Sequence, residues 1–296
     1  MTTATSTPTR SGLAPGVGTV ALALLFWAGP SVIGKAIPLG AVQLVFFRGL
    51  IGVAWGVAVL YASGGRLSWR LFRYSFVGGI ALGCDLIFFY AAIKATTVAN
   101  ATVISSVQPL LMVFAAPLLF GEKIRWPDFL ASLVAIGGVI LVVSGSQSQD
   151  AWSLRGDLLA LCVLFAWGAY LVSSKRARQH LSSTEFTCGV MIFSMAVVTP
   201  LALWQADWTT PSRTQWLGLA FMAVSGWVGH VLMNWALERV PLWVGGTSAL
   251  AVPVLTSALA AIFLAEPLRP VQILGMLIVL ASLTVVVLRA DKVEGG

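Results

Sequence analysis

The chain has 296 residues, of which 58% are hydrophobic and only 10% charged. That is too little charge for the surface of a water-soluble domain, although the length would suffice for one or two. The formal net charge is +7, but its Lys and Arg residues stand in short segments between apolar runs, a topology signal that argues against a nucleic-acid surface.

Each apolar run is about twenty residues, enough to cross a hydrocarbon core of about 30 Å as a helix. Lipid cannot satisfy open backbone groups, so such runs must be helical, and the ~10-residue alternation of a membrane barrel is absent. The polar leader, residues 1–16, has no cleavable signal shape and is expected to be disordered. Ten spans follow, at 17–37, 41–61, 74–94, 98–118, 127–145, 156–177, 184–204, 214–236, 243–264 and 270–289. The expected fold class is an all-α integral membrane protein with ten transmembrane helices.

Span 1 places Trp27, Pro30 and Gly34 on one helical face. Span 2 holds Arg48, roughly 12 Å deep from its outer end, and span 3 holds Asp85 at a similar depth, roughly 13 Å. Ionisable groups at such depth are functional candidates, and these two are expected to pair, to bind a zwitterion or to titrate during transport. Span 4 carries Asn100 and Gln108 about two turns apart, followed by Pro109, whose missing N–H frees a carbonyl. Span 6 aligns Trp167, Tyr170 and Ser174, aromatic groups suited to an apolar or aromatic ligand. Span 8 aligns Trp227, His230 and Asn234, and the imidazole is a candidate proton carrier. Span 9 has Pro253 where span 4 has Pro109, and both prolines are candidate hinges. For each of these, ordinary helix packing is the alternative reading.

Chemistry of other kinds finds little support. Cys84, Cys162 and Cys188 lie within apolar runs at no metal-binding spacing, and His180 and His230 are too few for a histidine cluster. No metal and no cofactor is expected. There is no P-loop, G-x-S-x-G or HExxH, so ATP hydrolysis is not in this chain and a membrane-embedded enzyme is a remote alternative.

The segment Ala99–Ile124 is echoed by Trp243–Leu268 at an offset of 144, which superposes Pro109 on Pro253 and Glu122 on Glu266. At an offset of 140, Trp27 and Lys35 fall on Trp167 and Lys175. The linker SGSQSQDAWSLRGD separates two halves, 14–146 and 154–290, of five spans each. With the N-terminus inside, twelve of the eighteen Lys and Arg residues lie on the cytoplasmic side and five outside, so both termini are expected in the cytoplasm. An odd span count makes the second half enter the membrane from the opposite face, the inverted-repeat plan of many secondary transporters. Glu122 and Glu266 then finish helices at opposite membrane faces.

The five-plus-five repeat, the tryptophan-bearing LLFWAGPSVIGKAI of span 1, the FFRGLI of span 2 and the shared proline-to-glutamate ending of spans 4 and 9 resemble the drug/metabolite transporter superfamily, in its EamA branch. Within it the chain looks most like the YddG-type exporters of aromatic amino acids. The resemblance implies a bacterial inner-membrane exporter whose central cavity is lined mainly by spans 1, 3, 4, 6, 8 and 9. Trp27, Pro30, Asp85, Asn100, Gln108, Trp167, Tyr170, Trp227, His230 and Asn234 are the expected substrate contacts. The expected partners are a small amino acid or metabolite and the bilayer, with a monomer as working unit; the drive is the substrate gradient or a proton carried at Asp85 or His230, Arg48 being the expected ion-pair partner. Export of other metabolites or cationic drugs is the alternative within transport.

Overall fold

A computed structural model describes residues 10–95, 104, 106–144, 153–205, 208–263, 265 and 268–294. Asn100 and Glu266 lie outside the described residues. Helices run in chain order as α1 (Arg10–Ala36), α2 (Ala41–Ala62), α3 (Trp69–Ala95), α4 (Gln108–Phe120), α5 (Trp126–Ser144), α6 (Leu154–Ala177), α7 (Ser183–Trp204), α8 (Arg213–Ala236), α9 (Leu242–Ser248), α10 (Ala251–Phe263) and α11 (Pro270–Glu294). Among the described residues, nine segments are long and apolar enough to span a membrane, and α4 adds a shorter apolar helix. The protein is an all-α, multi-pass membrane protein.

Two expectations need correction. The leader is not wholly irregular, because α1 starts at Arg10. Gly16 is buried against α8's following turn, where a Cβ would meet Val240 Cγ1 at 2.7 Å, and this packing holds the helix start in place. Span 9 is not one continuous helix but α9 and α10, broken at Ala249–Leu250. Pro253 supplies the reason: it has no N–H for the Ala249 carbonyl, which instead accepts from Val252 N–H at 3.0 Å. The tighter i→i−3 pattern continues through Leu250 N–H to Thr247 O at 3.1 Å. The same happens before Pro109, where Val107 N–H bonds Ile104 O and Leu110 N–H bonds Val107 O. Both prolines therefore lie in the first turn of a helix, where proline is tolerated, and not in the middle of one.

The packing has a two-fold pattern. α1 lies along α8 as α3 lies along α6, and α2 meets α8 as α3 meets α7. α2 also packs on α7, and α5 on α11. Exchanging α1 for α6, α2 for α7, α3 for α8 and α5 for α11 maps these contacts onto themselves. Small residues bring the backbones together, as between α5 and α11, where a Cβ on Gly275 would stand 2.5 Å from Gly138 O. The largest fully buried side chains include Tyr170, Phe186, Met112, Leu171 and Trp243, which centre the core on α4, α6, α7 and α9. Phe114, Leu118, Leu158, Phe165, Leu217 and Phe263 are exposed and form part of a lipid-facing belt.

Candidate functional site

The centre of the bundle holds a polar network built on α6, α7 and α8. Tyr170 and Ser174 are one turn apart on α6, and His230 and Asn234 are one turn apart on α8, so each pair presents one face. Tyr170 Oη lies 2.8 Å from His230 Nδ1 and donates to Asn234 Oδ1 at 3.0 Å. Ser174 Oγ donates to the same Oδ1 at 2.6 Å, and Asn234 Nδ2 donates to Thr187 Oγ1 at 2.9 Å. Tyr170, Ser174, Asn234 and Thr187 are fully buried, and His230 is nearly so.

With the Asn234 amide oriented to donate to Thr187, the imidazole tautomer follows. A phenol has one proton to give, and Tyr170 gives it to Asn234, so His230 must donate through Nδ1–H. Its Nε2 keeps a lone pair as the acceptor of the site. Gain of a proton at Nε2 leaves every bond of the network in place.

Aromatic rings cover the network. Trp27 from α1 meets Trp167 edge-to-face at 5.4 Å and His230 at 5.1 Å. Trp167 in turn lies 5.1 Å from Tyr170. Both tryptophans are only part-buried. Gly229 makes room for this approach, since a Cβ there would stand 2.6 Å from Trp27 Cδ1. The aromatic faces expected on spans 1 and 6 thus do meet, together with span 8.

Other expected residues are placed differently. Trp227 does not join His230 and Asn234 but is buried against α2, where Gly56 accommodates its indole at 2.7 Å from the Cβ position. The stripe extends about 10 Å along the helix axis, and neighbours cross at an angle, so one face meets α2 at one level and α6 and α7 at another. Pro30 is buried in α1. Gln108 is buried at the start of α4, near Gly246 of α9, and its Nε2 has no hydrogen-bond partner among the described residues.

Arg48 and Asp85 do not form the expected ion pair. Ion pairs among the described residues include Glu122–Lys175, Glu238 with Arg178, and Asp128–Arg289 at 2.6 Å, but none between these two. The reason is α7, which fills the space between α2 and α3. Met195 packs on Gly49, while Ser194 and Val197 pack on Gly83. Each charge is half-buried on its own side, and Arg48 lies within electrostatic reach of His230 instead.

Glu122 does what its position at a helix end suggests. α4 closes on Gly121 in the left-handed conformation, φ 67°, with Glu122 N–H reaching back to Ala116 O at 3.4 Å. The turn brings the carboxylate over the start of α9, where Leu242 N–H donates at 2.8 and 2.9 Å to its two oxygens. Lys175 Nζ from α6 stands 2.7 Å from Oε1 and also donates to Val240 O at 3.0 Å. One carboxylate therefore ties α4 to α6 and α9 at the end of the bundle rich in Lys and Arg, the basic end.

Sequence reasoning missed Thr187 and Trp243. Nothing marks Thr187 within its apolar run until Asn234 is placed opposite it. Trp243 sits at a helix start yet is fully buried. No group of three or more His, Cys, Asp or Glu suited to a metal occurs among the described residues.

The sequence profile of the EamA-like transporter family matches residues 14–144 and again 154–288. Among curated proteins, the chain is 26% identical over 285 residues to the Bacillus subtilis transporter YwfM, spanning 90% of this chain and 92% of that one. It is 28% identical over 208 residues to the threonine/homoserine exporter RhtA of Escherichia coli, covering 69% and 67% of the two chains. The pseudopaline exporter CntI of Pseudomonas aeruginosa is 25% identical over 204 residues, covering 68% and 70%. A crystal structure superposes with a TM-score of 0.76 at 21% identity, over 95% of this chain and 98% of that one, a likeness of fold.

Proposed function

The chain belongs to the EamA-like transporter family, which matches it across both halves, and from that premise we propose a secondary transporter that exports amino acids with aromatic or apolar side chains. The observation that carries the proposal is the Trp27–Trp167 pair standing over the Tyr170–His230–Asn234 network. Indole faces suit an apolar side chain, and His230 Nε2 beside them suits a substrate ammonium or a transported proton. The similarity to RhtA, an exporter of threonine and homoserine, and to CntI, an exporter of pseudopaline, supports export of a small solute.

Transport proceeds by alternating access in the bacterial inner membrane, with both termini cytoplasmic. The repeat units are 14–146 and 154–290, and the two-fold packing supports their inverted relation. Pro109 and Pro253 start helices after local breaks, which makes those breaks the candidate hinges. On that orientation the Glu122–Lys175–Leu242 tie holds the cytoplasmic end closed while the site faces outward, and it opens to let the next substrate load from the cytoplasm. A monomer suffices for this cycle.

One observation favours a second reading, export of cationic solutes: Asp85 stands half-buried in α3 without an ion pair among the described residues. Reconstituted vesicles distinguish the two. Phenylalanine and tryptophan are expected to move and to compete with each other. Movement of organic cations with no amino-acid flux would replace the first reading by the second. Repeating the assay with a pH gradient tests coupling; identical gradient dependence in Asp85→Asn and His230→Ala would remove both from it.

A further inference from the structure

Away from the central site, a cleft of about 610 Å³ opens between α3, α4 and α6 at the basic end, lined in part by Tyr74, Leu119, Phe120, Arg176, Gln179 and His180. Its chemistry is cationic on an aromatic floor. The guanidinium of Arg176, in the lining, lies 5.9 Å from the Phe120 ring, and that of Arg73, next to the lining but not in it, lies 5.8 Å from the Tyr74 ring. His180 stacks on Tyr74 at 4.2 Å, and Arg70 Nη2 donates to His180 O at 2.6 Å, which fixes the loop after α6 as one wall. Among the described residues the lining contains no carboxylate. Glu122, which follows the lining in sequence, is already engaged by Lys175 and Leu242 N–H.

Two further features locate and shape the site. Trp69 and Trp126, 81% and 68% exposed, start α3 and α5 at this end, as interfacial tryptophans do at headgroup level. From Leu119 the exposed apolar side chains Leu118 and Phe114, 85% and 62% exposed, continue along α4 away from the cleft. A charged pocket at headgroup level therefore opens onto an apolar strip inside the bilayer. A soluble anion uses only the first; a phospholipid uses both.

We propose that this cleft binds the headgroup of an anionic phospholipid, its phosphate held by Arg176 and Arg73 and its acyl chains lying along Leu118 and Phe114. Basic pockets between membrane helices recognise anionic lipids in this way. The site is separate from the transport site over Tyr170 and stands whether or not the proposed substrate is correct.

The test titrates phosphatidylglycerol, against phosphatidylcholine, into the purified full chain in mixed micelles at constant ionic strength and reads thermal unfolding. Wild type should show a saturable rise in Tm with phosphatidylglycerol alone. Arg73→Gln/Arg176→Gln, both exposed positions, should bind roughly 25-fold more weakly, at about fivefold per arginine. Arg66→Gln/Arg125→Gln removes as much charge from the same end and should bind as wild type does. Equal responses in the two double variants would reduce the arginines to topology signals and overturn the proposal. An equal rise with soluble glycerol phosphate would also overturn it, by making the occupant a free anion. Loss of co-purified phosphatidylglycerol from the first variant only, in native mass spectra, would support it independently.

Discussion

Asn234→Ala tests the central network most sharply, because one side chain serves three partners. The substitution removes the acceptor of Tyr170 Oη and Ser174 Oγ and the donor to Thr187 Oγ1, bonds of 3.0, 2.6 and 2.9 Å. Hydrogen bonds between membrane helices average about 0.6 kcal/mol, and soluble ones about 1 kcal/mol, so three together are worth roughly 2–3 kcal/mol. Thr187→Val removes one of the three and keeps the shape, so it should cost roughly 0.6–1 kcal/mol. The assay is reversible unfolding in mixed micelles on both variants. A ratio near three supports the network as drawn. Equal losses, or an Asn234→Ala loss below about 0.5 kcal/mol, would mean that the buried groups find other partners and that the geometry around His230 is not fixed by Asn234.

Other outcomes follow from neighbouring features. Gly229→Ala should destabilise by about 1–3 kcal/mol through overpacking on Trp27 and should alter tryptophan fluorescence, because its Cβ would stand 2.6 Å from Trp27 Cδ1. Gly226→Ala, less than one turn away with nothing within 4 Å of its Cβ position, should be neutral or gain about 0.5 kcal/mol in the same unfolding assay. The charge-swapped pair Glu122→Lys/Lys175→Glu should fail to restore transport, since Leu242 N–H needs an acceptor where the swap puts an ammonium; full rescue would mean that charge pairing alone matters there. Pro253→Ala should lower transport in vesicles more than it lowers Tm, by letting α9 and α10 join into one helix, and unchanged flux would remove the hinge role.

Much of the architecture was legible because lipid leaves few options: a run of about twenty apolar residues must be a helix. The faces of span 6 and the lower part of span 8 were also legible, since a helix fixes which of Tyr170, Ser174, His230 and Asn234 point the same way. What periodicity cannot give is the neighbour. Arg48 and Asp85 match in depth, yet α7 stands between them, and depth carries no information about rotation around the bundle axis. Trp227 shares a stripe with Asn234 but meets a different helix. Thr187 carried no signal, because a threonine in an apolar run acquires meaning only from the amide opposite it. The broken span 9 was readable in part. Pro253 announced lost backbone bonding, but whether a helix bends or splits depends on whether another donor reaches the freed carbonyl, here Val252 N–H.

Uptake of labelled phenylalanine by vesicles preloaded with unlabelled phenylalanine tests the account most directly, with wild type and Trp27→Leu compared at equal reconstituted amounts. The account predicts counterflow by wild type and its loss in Trp27→Leu, with Thr187→Val retaining most of it. Full counterflow in Trp27→Leu, or none in wild type, would contradict the claim that substrate is handled at the Trp27–Trp167–His230 site.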